Sequence, residues 1–271
     1  MSENAFFRQT MSLTVRELKH WYRSKSQIMM ALVQPIMWLG LFGVMMSSMM
    51  GQQPGLDSES FFNALAMGMI VITALSTAMS SGMSLIWDRR FGFLDKIRAA
   101  PIPRGAIPLS RVLATTVKAL VQCSVVFIIA LILGLHVSNL TIWSIPVFII
   151  VVVTVSLIFS SLFVALGLVI KKQEAFMGIN MLLMMPLMMV SGAMFPVTQM
   201  VSNNILRTIA NCNPLTFAAD ALRESFIDTK GGMLLSLPDV STGECVLILA
   251  VVAIIVTALG MFFARRALKS Q

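Results

Sequence analysis

The side chains of this 271-residue chain that could do chemistry are few and scattered. Two histidines, His20 and His136, and three cysteines, Cys123, Cys212 and Cys245, stand far apart. That spacing builds neither a closed zinc site nor a disulfide framework. Ser80-Ser81-Gly82-Met83-Ser84 places hydroxyls inside an apolar run, but neither histidine lies in such a run to act as their base, so a serine nucleophile has no proton acceptor. No GxxxxGK[ST] occurs, and with it goes the phosphate loop that would cradle a nucleoside triphosphate. If ATP drives this protein, another chain binds it, and the chain itself is expected to be neither an enzyme nor a holder of metal or cofactor.

What remains is a scaffold problem. The chain is 57% hydrophobic and 12% charged, with a mean hydropathy of +0.86, too apolar to cover a water-facing surface with polar groups. It reads as a membrane protein. Six apolar stretches without acidic residues, 28–50, 61–85, 112–135, 142–170, 175–195 and 245–263, each approach the roughly 20 residues that a 30 Å hydrocarbon layer requires. Backbone in hydrocarbon must satisfy its own hydrogen bonds, which favours helices. A closed barrel would show segments of about ten residues alternating in polarity, whereas Val147 to Ile158 is almost unbroken Val, Ile, Phe and Leu. The expected fold class is all-α integral membrane, a single domain of six transmembrane helices. The first apolar run is longer than a signal peptide's core and has no small-residue cleavage site after it, so it is expected to stay in the mature protein.

Orientation follows from the basic residues. Segments 1–27, 86–118, 171–174 and 264–271 hold 17 of the 20 Lys/Arg, which puts both termini in the cytoplasm of a multi-pass cell-membrane protein. Topology thereby accounts for a pI of 9.9 without nucleic acid as a partner. Asn139-Leu140-Thr141 falls on the expected outer side and matches a glycosylation acceptor, a tripeptide too short to carry an assignment.

Three segments are not spans. In 5–25, Phe7, Met11, Val15, Leu18, Trp21 and Tyr22 share one helical arc with Arg8, Arg16, Lys19 and Arg23 beside it, the pattern of an N-terminal interfacial helix on anionic lipid. Residues 88–100 carry Phe91, Leu94 and Ile97 at three-residue spacing among charges, before Pro101 and Pro103 stop any helix. Such a short amphipathic helix lies either on the inner leaflet or in a protein groove, and periodicity does not choose. Between 198 and 229 two short helices broken by Pro and Gly read as outer re-entrant elements, with Asp220, Arg223, Glu224 and Asp228 expected at their wet end.

The spans hold no acid and no histidine, which argues against an ion-coupled carrier, and Lys118 is near enough to one end of its span to snorkel. Thr73, Thr77, Ser80 and Ser84 share a face and suggest close helix packing. Methionine is the compositional oddity, 23 residues in all. In the fifth span Met177, Met181, Met184, Met185, Met188 and Met189 crowd around Asn180 and Pro186, either filling gaps or forming an adaptable binding wall.

Arg16-Glu17-Leu18, Gln34-Pro35, the Asp88 to Arg104 loop, Ser191-Gly192-Ala193-Met194-Phe195-Pro196 and Asn213-Pro214-Leu215-Thr216 followed by Asp220-Ala221-Leu222-Arg223 occur in an order and spacing that resembles the membrane permeases of type-2 ABC exporters, and among them the daunorubicin-resistance-type drug exporters. The resemblance implies a half-transporter. Two permeases, here a homodimer, would form the pathway above two separate ATPase subunits that carry the ATP and magnesium. It makes 88–100 a coupling helix, with Arg89, Arg90, Phe91, Leu94, Asp95, Ile97 and Arg98 as its ATPase-facing set, although relatives often carry an acid and a hydroxyl where this chain has Arg89 to Phe93. It puts the dimer interface mainly on the first and fifth spans, with Gln34, Met181, Met185, Met188 and Phe195 at that interface or along the pathway. Long polar polysaccharides would want an aromatic and polar pathway, whereas methionine-rich spans suit a hydrophobic or amphipathic small molecule or lipid. A non-transporting membrane subunit or receptor is the reading of another class, and it would have no ATPase partner.

The charge asymmetry generates a direct test of topology. A cysteine introduced as Arg98→Cys should react with a membrane-impermeant thiol reagent only after the cells are opened, and labelling from outside would invert the six-span arrangement.

Overall fold

A long apolar run in hydrocarbon satisfies its polar backbone by closing it into a helix, and the computed structural model follows that rule. It describes residues 3–43, 45, 58–92, 103, 105–170, 172–194, 204–229, 237 and 240–269. Among the described residues every regular element is helical: α1 (Glu3–Arg23), α2 (Lys25–Met37, continued by a π-helical turn Trp38–Gly43), α3 (Ser58–Arg90), α4 (Ala106–Ile132), α5 (Ser144–Val169), α6 (Gln173–Val190), α7 (Asn204–Asn211), α8 (Pro214–Phe226) and α9 (Thr242–Lys269). Five of these, α3, α4, α5, α6 and α9, are long and apolar enough to cross a membrane.

The sixth expected span, 28–50, has a different form. Its described part is the 13-residue α2 and the π turn, and 13 residues of α-helix are too short to cross by themselves. Pro35 sits inside α2, where it removes a donor and presses on the preceding turn, and the widened turn begins three residues later. Residues 46–57 lie outside the described residues. The interfacial segment expected over 5–25 is α1, separated from α2 by Ser24 alone.

α3 extends beyond the expected 61–85 because tertiary partners support its last turn. Asp88 pairs with Arg111, and the Arg89 guanidinium donates to the Leu168 carbonyl at 2.8 Å and the Ile170 carbonyl at 3.4 Å at the end of α5. The first residues of the expected 88–100 helix are therefore the end of α3, and the chain turns at Phe91–Gly92, where Gly92 takes a φ of +67° that a side chain would resist. Positions 93–100 lie outside the described residues. α4 stops at Ile132, short of the expected 135: Gly134 has a φ of +109°, and Leu135 N–H reaches back to the Ala130 carbonyl at 2.9 Å in a glycine-terminated cap.

α3 is the central element. Phe61 to Leu75 is buried without interruption, enclosed mainly by α4, α5, α8 and part of α2. α5 lies between α3 and α9, and glycine sets both distances. A Cβ on Gly82 would strike the Phe163 carbonyl and the Phe176 ring, one on Gly167 would lie 2.6 Å from the Gly82 carbonyl oxygen, and one on Gly260 would lie 2.9 Å from that of Ser161. Small residues at such crossings let dispersion hold helices that hydrophobic exclusion cannot drive together in lipid. The expected Thr73, Thr77, Ser80, Ser84 face is partly of this kind: Thr73 and Thr77 are buried, Thr77 meets Gln122 of α4, and Ser80 is exposed. At the other end of the bundle Phe127, Phe148 and Phe226 join α4, α5 and α8 with ring centroids 5.3 to 6.4 Å apart.

α6 and α9 are the least enclosed, with 11% and 17% of their most apolar stretches buried.

These crossings predict a clear ranking. Gly82→Ala and Gly167→Ala should each cost about 1–3 kcal/mol through overpacking and lower the thermal midpoint of the detergent-solubilised protein. Gly178→Ala, where a Cβ meets open space, should leave it unchanged or raise it. Equal midpoints would remove the close-packing account of α3 and α5.

Candidate functional site: an ion cluster, a buried clamp and an exposed methionine face

Two charged assemblies sit at opposite ends of the bundle. The first is built on α4. Arg111 and Lys118 are seven residues apart, two turns along one helix face, and both are nearly buried. Thr10 and Thr14, also buried, let α1 lie close against the start of α4, with the Thr14 hydroxyl donating to the Ser110 carbonyl at 3.4 Å. That approach puts Glu17 between the two cations. Arg111 donates to Glu17 of α1 and to Asp88 of α3, and the Lys118 ammonium meets Glu17 Oε1 at 2.9 Å. Burial opposes ionisation of Glu17, but Arg111 and Lys118 outweigh it and hold the carboxyl below its ordinary value. Two acids and two bases thus form a neutral group, which is how charges persist away from water. Its location matters most: it ties α1, α3 and α4 together where α3 gives way to the segment expected to couple to an ATPase. Lys118 is therefore an ion-pair partner for α1.

The second assembly joins two motifs that are far apart in sequence. α6 ends at Val190, and Ser191, Gly192, Ala193 and Met194 follow as buried irregular backbone, whose polar groups need partners. α8 supplies them. Thr216 accepts the Gly192 N–H at 3.1 Å, and Arg223 donates to the Gly192 carbonyl at 2.7 Å, the Ala193 carbonyl at 3.0 Å and, on α3, the Ala64 carbonyl at 3.1 Å. Asp220 lies 3.2 Å from the same guanidinium and also accepts the Leu237 N–H at 2.8 Å. Asn213 caps α8 through the Leu215 N–H at 3.0 Å and donates to the Leu187 carbonyl at 2.9 Å. Gly68 completes the contact, since a Cβ there would overlap the Ala193 carbonyl oxygen. Asp220 and Arg223, expected at a wet end, are 2% and 0% exposed. The planar fork of arginine reaches several carbonyls at once, and that geometry draws it inward where a lone charge would stay in water.

The third feature is surface. Met181 and Met185 on α6 are 67% and 59% exposed, as are Met177 and Met189, while Met188 is half-buried against the core. The expected Met181, Met185, Met188 set is thus split by the structure. α2 presents a similar face through Met29, Met30, Val33 and Met37, and Gln34 is exposed on it. Of the interfacial set, Phe7, Met11 and Tyr22 are exposed while Leu18 and Trp21 are half-buried. Of the coupling set, Arg89 is bound to the end of α5, Arg90 and Phe91 are exposed, and Leu94, Asp95, Ile97 and Arg98 lie outside the described residues, as does Phe195. Among the described residues no group of three His, Cys, Asp or Glu could hold a metal ion.

The two buried arginines should be the costliest side chains to remove. Arg111→Met strands Asp88 and leaves Glu17 with Lys118 alone, and should lower stability by about 3–5 kcal/mol, with part recovered by adding Asp88→Asn. Arg223→Met should cost a similar amount, and Arg223→Lys should fail to restore it because an ammonium lacks the fork. Thermal midpoints in detergent measure both series.

The segment that contains both assemblies is also the segment shared with known proteins. Residues 8–227 match the family described as ABC-2 type transporter. Proteins named transport permease ycf38 align along most of their length: that of Porphyra purpurea is 29% identical over 82% of this chain and 75% of its own, that of Pyropia yezoensis 26% over 91% and 85%, and that of Cyanophora paradoxa 25% over 98% and 91%. Permeases of this family are the membrane component of ABC transporters and work with an ABC ATPase. The chain belongs to the ABC-2 type transporter family, as a multi-pass membrane permease.

Proposed function

We propose that the chain is the permease half of an ATP-driven exporter that moves a hydrophobic or amphipathic small molecule or lipid out of the cell. Two copies pair through α2 and α6, and two ATPase subunits dock at the end of the bundle that carries the Glu17, Asp88, Arg111, Lys118 cluster. Both termini lie in the cytoplasm, α2 and its continuation form a sixth span in the cell membrane, α1 lies at the inner surface, and α7 and α8 form the outer re-entrant pair. ATP and magnesium bind the partner ATPases.

The observation that carries this reading is the position of the ion cluster. Exposed Arg90 and Phe91 lie two and three residues beyond Asp88, so a partner seated on the 90–98 segment pulls on a helix end that is ion-paired through Arg111 to α1 and α4. Movement of the loop reaches three helices at once. At the far end the Arg223 clamp closes α8 onto α3 and onto the chain leaving α6, and its release would open the outer side. The exposed methionines of α6 and α2 support an apolar cargo, because thioethers adapt to varied apolar shapes.

Export assays of the permease expressed with its ATPase check each part. Phe91→Ala with Leu94→Ala, two anchors of an amphipathic segment, should lose about 2–4 kcal/mol of docking energy and separate hydrolysis from transport without preventing insertion. Normal export would refute the coupling role. Met181→Leu with Met185→Leu conserves volume, so a changed cargo profile at unchanged expression marks a pathway wall, and an unchanged profile across several substrates refutes it.

A further inference from the structure

α1 is amphipathic in three directions. Thr10, Thr14 and Glu17 face α4. On the next arc Phe7, Met11, Val15 and Tyr22 are exposed. Beyond them Arg8, Arg16, Lys19 and Arg23 follow one another along the helix, all exposed. Arg8, Met11, Val15, Lys19 and Arg23 line an open groove of about 930 Å³ along this flank of α1.

We infer that this groove holds the headgroups of acidic phospholipids. Charge complementarity names the anion, and the neighbouring arc names its source. Arg8, Lys19 and Arg23 recognise a phosphate, but four large apolar side chains exposed beside them are a liability in water and an asset against acyl chains. Geometry agrees. Ser24 alone separates the stripe from α2, so the last cations cannot be far from the level at which the chain enters the membrane. The bound lipid would do more than anchor. Glu17, on the opposite face of the same helix, is held by Arg111 and Lys118, so a headgroup seated on Lys19 and Arg23 fixes the helix that completes the ion cluster. This rests on α1 lying along the membrane surface, and is independent of the cargo and of the direction of transport.

Native mass spectrometry of the full-length chain, released from bilayers of equal phosphatidylglycerol and phosphatidylcholine, tests the assignment. The wild type should retain phosphatidylglycerol preferentially, and excess inorganic phosphate should not displace it. Lys19→Gln with Arg23→Gln should reduce that preference by about fivefold for each cation removed. Lys172→Gln with Arg266→Gln, two exposed cations elsewhere on the chain, should leave it within about twofold of wild type. No preference in the wild type, or equal loss in both variants, overturns the site in favour of general basic charge. A retained preference accompanied by lost co-purification of the ATPase overturns it in favour of an acidic protein surface. The Arg98→Cys labelling reports the topology separately, so a failed lipid site and a failed membrane orientation give different results.

Discussion

Polar backbone taken out of water must find partners inside the protein, and the rest of this structure depends on how that constraint is met where the helices stop. Within α3, α4, α5, α6 and α9 the helix meets it automatically. At Ser191–Met194 it is met by one guanidinium, one hydroxyl and one glycine: Arg223 takes three carbonyls, Thr216 takes the Gly192 N–H, and Gly68 lets α3 come close enough to be bridged. Irregular backbone is tolerated away from water where protein covers it in this way. The same residue couples three elements, α8, α3 and the chain leaving α6.

The cluster at the other end uses charge for the same purpose. Glu17 bridges Arg111 and Lys118, and Arg111 bridges Glu17 and Asp88, so every member has an opposite partner within the group. Its energetic value lies less in net stability than in geometry, since a buried ion pair roughly breaks even against apolar packing while punishing any separation of its members. It makes α1 part of the bundle, and it anchors α3 at Asp88, two residues before the exposed Arg90.

Between these ends the helices are buried to very different degrees. The apolar stretch of α3 is almost wholly enclosed, α6 and α9 show most of theirs, and α2 shows a methionine-rich side.

Much of this was legible in the sequence, because hydrophobic length is a local property that the bilayer reads directly. Apolar length predicted the all-helical architecture and the approximate bounds of five of the six expected spans. The family, too, was legible in short motifs around Arg16-Glu17-Leu18, Ser191 to Pro196 and Asn213 to Arg223, and the match over residues 8–227 carries it. Tertiary structure alone decided which charges meet. Glu17 lies 94 residues from Arg111, and Arg223 lies 159 from Ala64, and nothing in either neighbourhood states a partner. Arg111 and Lys118 at two-turn spacing on an otherwise uncharged helix were a usable signal for the first cluster. Asp220 and Arg223 gave no such signal: their i, i+3 spacing suits a solvated surface pair equally well. Only the course of Ser191–Met194 turns them inward, because the free energy of leaving those carbonyls unpaired exceeds the cost of burying an arginine that satisfies them.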